Sequence, residues 1–252
     1  MKIATAAYPL DVLTSWAQYE DKLAHWVAEA AVQGAELLHV KLAAEHNVHI
    51  VAGSGPAATE SRPVNRARLI TPTGQVGVQD KQIMTRFERE EWGVIGGNAL
   101  QVFETAIGKV GILICYDSEF PLLGRALSDC DVICVPSVTE TLAGYWRVRI
   151  GSMARALENQ CITAMSSVVG AADWSEALGQ SFGAGGIFCP PDRGFPPTGI
   201  LGLREVNAPG WTIAEADLAQ VAEVRADGIV LNRRDWQDQI GRDGKAINVA
   251  LR

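Results

Sequence analysis

Short apolar runs alternate along this chain with stretches in which apolar residues recur at helical spacing. The period-two and all-apolar runs predict strands over residues 2–7, 35–40, 49–52, 67–71, 75–79, 101–104 and 109–114. Further strands are expected over 131–135, 161–168, 186–189, 200–203 and 212–217. The helical period predicts a long helix over 13–34, where Trp16, Leu23, Trp26, Val27 and Ala30 share a face and Gly34 supplies the stop. Shorter helices are expected over 41–46, 118–130, 146–159 and 218–226, followed by a polar tail from Leu231. Gly53-Ser54-Gly55-Pro56 is expected to end the third strand, and the Gly/Pro-rich stretch 190–202 to form surface turns. Strands alternating with helices imply α/β layering, and with no internal repeat or linker the 252 residues read as a single domain.

Composition narrows this picture by exclusion. A net charge of −7 leaves no basic face for phosphates, so no nucleic-acid partner is expected. No uncharged apolar run reaches the roughly 20 residues of a membrane span, and the start is too short in its apolar part for a secretory signal. Five cysteines in a chain this large do not suggest a disulfide scaffold. A reducing, cytoplasmic setting without a membrane partner is the resulting expectation.

The segment Gly111-Ile112-Leu113-Ile114-Cys115-Tyr116-Asp117-Ser118-Glu119-Phe120-Pro121 carries the most chemistry. An apolar strand runs directly into Cys115, and a helix-start signal follows, with Asp117 or Ser118 able to cap and Pro121 suited to a first turn. That places Cys115 on a tight turn at the carboxyl end of a strand, where open α/β sheets carry their sites. A helix N-terminus there would favour the thiolate. Cys130, Cys134, Cys161 and Cys189 lack this context and read as buried structural cysteines. The four histidines, His25, His39, His46 and His49, carry no motif, so a Cys–His peptidase is disfavoured. No Cys/His spacing fits a metal site. A carboxylate base with a nearby lysine is the better partner for the thiol.

Four segments, in order, resemble the nitrilase superfamily of carbon–nitrogen hydrolases, in its amidase-like branch. They are Glu29-Ala30-Ala31-Val32-Gln33-Gly34-Ala35-Glu36, Asp80-Lys81-Gln82-Ile83-Met84-Thr85-Arg86-Phe87-Glu88, the cysteine segment, and Arg155-Ala156-Leu157-Glu158-Asn159-Gln160. The resemblance implies a four-layer αββα sandwich, assembled as a homodimer or larger homo-oligomer, and a Glu–Lys–Cys triad that needs no metal or organic cofactor. It makes Cys115 the nucleophile and Lys81 the cation. The Lys81 ammonium and the Tyr116 backbone N–H would stabilise the tetrahedral oxyanion. A supporting glutamate is expected shortly after the lysine. Glu88 is favoured because the adjacent Phe87 suggests partial burial, ahead of Glu91 and Glu90. Tyr116-Asp117 after the cysteine resembles amidases rather than nitrilases, so a small linear amide is the expected substrate. The helix after Cys115 and the tail with Trp236 are candidate oligomer contacts, and Trp92, Trp146 and Trp174 are candidate pocket walls.

The pattern breaks at one place. The family's general-base glutamate should follow the second strand in a Pro-Glu pair, yet Ala35-Glu36-Leu37-Leu38 runs straight into His39-Val40-Lys41-Leu42. Roughly a couple of dozen residues are wanting at residues 38–41, far more than connections of this kind vary by. Neither Glu36 nor Glu45 matches the motif, so the base is unassigned. A segment omitted from the sequence is favoured over a true deletion, because both flanks are well formed. The alternatives to amide hydrolysis are an N-carbamoyl amide or nitrile hydrolase of the same family, or a catalytically impaired binding or regulatory homologue.

Overall fold

The computed structural model describes residues 1–32, 40–174, 179–242, 244 and 246–251. Residues 35–39 of the strand expected over 35–40, and residues 38 and 39 of the 38–41 junction, lie outside them, while Val40 starts a helix rather than ending a strand. In chain order the elements are β1 (Lys2–Pro9), α1 (Trp16–Val32), α2 (Val40–His46), β2 (Ile50–Ala57), β3 (Val64–Ile70), β4 (Val76–Asp80) and α3 (Arg86–Glu90). There follow β5 (Phe103–Thr105), β6 (Gly108–Ile112), α4 (Pro121–Ala126), β7 (Val132–Ser137), α5 (Leu142–Asn159) and β8 (Ile162–Ala171). The last part holds β9 (Gln180–Ser181), β10 (Gly186–Phe188), β11 (Ile200–Leu203), β12 (Gly210–Glu215), α6 (Leu218–Asp227) and α7 (Asn232–Asp235).

One sheet runs β11-β10-β8-β7-β6-β5, with β6, β7 and β8 parallel. A second joins β2, β3 and β4 antiparallel. β1 pairs with β12 over Lys2–Ala7 and runs parallel to β8 over Ala7–Pro9. Three apolar layers explain the stacking. Successive residues of a strand face opposite sides, and here each side meets a different layer. Ala67 and Leu69 of β3 pack between the sheets with Val110, Ile112, Val132, Cys134, Ile162 and Ala164. The alternate residues Ile133, Val135 and Met165 pack outward on Tyr145, Val148 and Ala156 of α5. On the other side Ala4, Ile50, Ala52 and Ile70 pack on Val27 and Ala30 of α1 and Ala43 of α2. Helices, sheet, sheet and helices in that order are the αββα sandwich expected from the motifs.

Two elements differ from expectation for local reasons. Residues 118–130 do not form one helix. A 3₁₀ turn over Cys115–Glu119 comes first, Phe120 is extended, and α4 begins at Pro121. Proline has no N–H to continue a preceding turn and fixes the φ of a new first turn. β2 runs on through Gly53-Ser54-Gly55 because a bulge between Ala52 and Ser54 absorbs the irregularity without breaking the ladder to β3.

Candidate active site

Sheet topology brings the end of β4 beside the end of β6, so Lys81 and Cys115 meet although 34 residues separate them in the chain. Lys81 directly follows β4 and is 2% exposed. Its main chain is pinned on both sides: its amide donates to the Asn65 carbonyl at 2.8 Å, and its carbonyl accepts from Gly97 at 3.1 Å. An ammonium this deeply buried needs a counter-charge. Glu88 provides it, with Nζ to Oε2 at 2.6 Å.

The position of Glu88 is set by helix capping. Thr85 and Glu88 form a reciprocal capping box on α3: the Thr85 hydroxyl accepts from the Glu88 amide, and Glu88 Oε2 accepts from the Thr85 amide at 2.8 Å. The Thr85 hydroxyl also donates to Oε2 at 2.9 Å, and Asn65 Nδ2 donates to Oε1 at 3.0 Å. Burial raises the Glu88 pKa, but Lys81 and these donors outweigh it and hold the carboxyl below the usual range. The structure brings the residue expected from the sequence, Glu88, to Lys81, though not for the expected reason. Phe87 is 43% exposed and packs edge-on against Trp92; the sequence signal for Glu88 is the Thr85-x-x-Glu88 capping box. Glu91 is exposed at the helix end and Glu90 is spent on exposed Arg86, so neither reaches the lysine.

Cys115 stands at the first residue of the 3₁₀ turn with φ of 50°, in the left-handed region that side chains seldom adopt. The strain is held by neighbours. The Ser118 hydroxyl donates to the Cys115 carbonyl at 2.7 Å, and Arg155, buried on α5, donates to the Ser118 carbonyl at 3.0 Å. Asn159 donates to the Gly124 carbonyl of α4 at 2.9 Å. The arginine and asparagine of the 155–160 motif thus brace the cysteine turn from behind. The Cys115 thiol points toward the Val138 carbonyl, at 3.6 Å.

The expectation that a helix N-terminus would favour the thiolate is overturned. The turn is a single short 3₁₀ segment. Cys115 keeps some accessible surface, yet atoms close around its sulfur, and desolvation pushes the thiol above its ordinary pKa. Lys81 opposes the rise, while Glu88 and Glu119 add to it. Asp117 and Ser118 do not cap α4 with their side chains either. Asp117 turns instead toward main-chain amides, those of Gln82, Ile83 and Ile114. Cys134, Cys161 and Cys189 have thiols pushed up to about 12 by burial, and Cys130 is raised further.

The remaining candidates scatter. Trp92 meets Phe87 edge-on, Trp146 stacks beneath Arg149 on the exposed side of α5, and Trp174 is exposed. His25 and His46 are exposed, His49 is buried at the start of β2, and His39 and Glu36 lie outside the described residues. Glu45 is exposed on α2. Among the described residues no group of three or more His, Cys, Asp or Glu is placed to hold a metal ion, and no helix is long and apolar enough to cross a membrane.

The chain also matches known proteins. The family model described as carbon-nitrogen hydrolase matches residues 12–185. A probable hydrolase of Bacillus subtilis, YhcX, is 38% identical over 205 residues, which are 81% of this chain and 40% of that protein. The omega-amidase YafV of Escherichia coli K12 is 29% identical over 75% of this chain and 66% of its own length. The chain thus spans less than two thirds of each of these relatives. Among solved structures, the NitN amidase of Nesterenkonia sp. AN1 superimposes with a TM-score of 0.73 at 19% identity, covering 96% of this chain and 99% of that one. Nit3 of Saccharomyces cerevisiae gives 0.73 at 17% identity, over 89% and 93%. These two likenesses concern the fold.

Proposed function

The chain belongs to the carbon–nitrogen hydrolase family, and from that premise we propose that it hydrolyses a small linear amide to a carboxylic acid and ammonia through a thioester on Cys115. The observation that carries this reading is the buried Lys81–Glu88 pair whose charge reaches a cysteine held on a left-handed turn. The Cys115 sulfur attacks the amide carbonyl, and the carbonyl oxygen takes the negative charge. The Lys81 ammonium and the Tyr116 amide stabilise that oxyanion. Ammonia leaves, a thioester remains, and water releases the acid.

The raised thiol pKa makes a base necessary, since Cys115 is held protonated at rest. Glu88 does not fit that task. Both its oxygens are engaged by donors and its carboxyl is held in the ionised form by Lys81. Its role in this proposal is to hold Lys81. The base is assigned to a glutamate in a segment between the first helix and β2 that the sequence omits. Intact-protein mass spectrometry tests this: a mass near 27.0 kDa rules out the omitted segment and favours the impaired homologue.

Relatives named as amidases support amides over nitriles, among them the Escherichia coli omega-amidase and a deaminated glutathione amidase of Yersinia enterocolitica. An ammonia assay over short aliphatic amides, N-carbamoyl amines and nitriles decides substrate class. Turnover confined to nitriles or carbamoyl compounds overturns the amide assignment. Self-association is proposed through the face of α4 and α5. Leu122, Trp146 and Ile150 are exposed there, and Trp236 packs alongside over Arg125. Light scattering showing a monomer at micromolar concentration counts against it.

A further inference from the structure

Asp117 is buried, ionisable and unused by the reaction as outlined. It is 1% exposed and lies two residues after the nucleophile. Its Oδ1 accepts the Ile83 amide at 2.8 Å. The Gln82 amide lies between its two oxygens, at 3.2 and 3.1 Å. Its Oδ2 accepts the Ile114 amide at 3.3 Å. All three donors are main chain. Gln82 and Ile83 directly follow Lys81, and Ile114 directly precedes Cys115, so one carboxylate joins the two segments that carry the reacting groups. Burial opposes an ionised carboxyl there, and the three main-chain donors work against that rise. The other braces of the turn, Ser118 and Arg155, act from the α5 side and leave the lysine segment alone.

We infer that Asp117 is a positioning residue, which keeps the Lys81 ammonium in register with the Cys115 sulfur by bridging main-chain amides of the two segments. The inference rests on the hydrolase reading for its effect on turnover, but its geometry stands apart from substrate. Asp117→Asn keeps size and shape but replaces one acceptor by an NH₂ donor. Whichever way that amide turns, the donor faces a main-chain N–H, and one segment is released.

The test compares the wild type with Asp117→Asn in two assays: ammonia release from the amide panel, and alkylation of Cys115 by iodoacetamide followed by peptide mapping. The expected result is a kcat lower by on the order of a hundredfold, with KM changed by less than about threefold. Alkylation at pH 8 should slow by about tenfold, the equivalent of one pH unit in thiol ionisation as Lys81 drifts away. A residue acting only by its charge gives the reverse, since removing an anion speeds alkylation. Faster or unchanged alkylation with near-normal kcat overturns the inference. A wild type that releases no ammonia from any amide defeats the hydrolase reading alone, and the alkylation comparison still reports on Asp117.

Should the variant not fold, hydrogen exchange on the wild type decides. Burial lifts the Asp117 carboxyl to about 6. The other ionisable groups packed around the turn are Lys81 and Glu88 after β4, Cys115, Tyr116 and Glu119 in the turn, Cys134 on β7, and Arg147 and Arg155 on α5. None of these accepts the Gln82 and Ile83 amides, which donate to Asp117. Local opening that frees the Gln82 and Ile83 amides while Asp117 stays buried should become easier as pH falls from 8 to 5, because those amides favour the ionised carboxyl. Protection of the peptide spanning residues 81–84 should therefore weaken relative to that of the core strands, and constant relative protection over that range overturns the proposal.

Discussion

The corner where Lys81 meets Cys115 and the margin where α1 and α2 flank β2 contain similar polar residues held in opposite ways. At the corner, Lys81, Glu88 and Asp117 are buried, and each is bonded to groups from another stretch of chain. At the margin, β2 pairs only with β3 among the described strands. Trp16, Glu20, Asp21, Glu45 and Arg68 line an open groove there, and Gly53 and Gly55 face empty space. The difference teaches where the chemistry is complete. The groups proposed to stabilise the oxyanion are buried and braced by bonds to other segments, whereas the proposed base is assigned to the chain between α1 and β2, beside this margin.

Substitutions sharpen that contrast in descending order of effect. Cys115→Ala should abolish ammonia release while circular dichroism and melting stay near wild type; residual turnover at the wild-type rate defeats the nucleophile assignment. Lys81→Ala should lower kcat by on the order of a hundredfold or more. It should also destabilise by about 3–5 kcal/mol, because Glu88 is left buried and unpaired, which chemical denaturation reads directly.

Glu88 and Asp117 should respond to pH with opposite signs. The Glu88 pKa is lowered on folding, so its contribution is present at neutral pH and is lost as pH falls through the carboxylate range. The Asp117 pKa is raised from 3.8 to about 6, so its contribution is present at low pH and is lost as pH rises between those values. That loss is worth roughly 3 kcal/mol. Melting of Glu88→Gln and Asp117→Asn from pH 4 to 8 should therefore diverge: the first variant falls further behind wild type as pH rises, and the second gains on it. Parallel curves would break the comparison. At the margin, Trp16→Ala should change stability by no more than about 0.5 kcal/mol and leave kcat unaltered, since Trp16 is 70% exposed.

Much of the corner was legible in the chain because its signals are local. An apolar run into Cys115, a polar turn and Pro121 specify a strand, a tight bend and a new helix within a dozen residues. The lysine segment and the 155–160 motif carried Lys81 and the brace behind the turn. The helix over 86–90 was missed because it is too short for hydrophobic periodicity to register. Its only signature is the pair Thr85 and Glu88, a cap rather than a pattern. From the sequence alone Asp117 looks like a helix cap, because Asp at a strand–helix bend commonly is one. The lysine loop competes for its carboxylate and supplies amides from 34 and 35 residues away.

What the sequence determined by itself is the order and layering of elements, through period-two alternation that assigns successive strand residues to different apolar layers, and the candidate pair of Cys115 and Lys81. What the tertiary structure decided is the state of that pair. Cys115 sits where enclosure outweighs the pull of Lys81 and keeps the thiol protonated. Glu88 rather than its neighbours accepts the lysine, and Asp117 clasps two distant segments. Desolvation and the convergence of main-chain donors depend on what surrounds a group in space, and neither leaves a periodic trace along the chain.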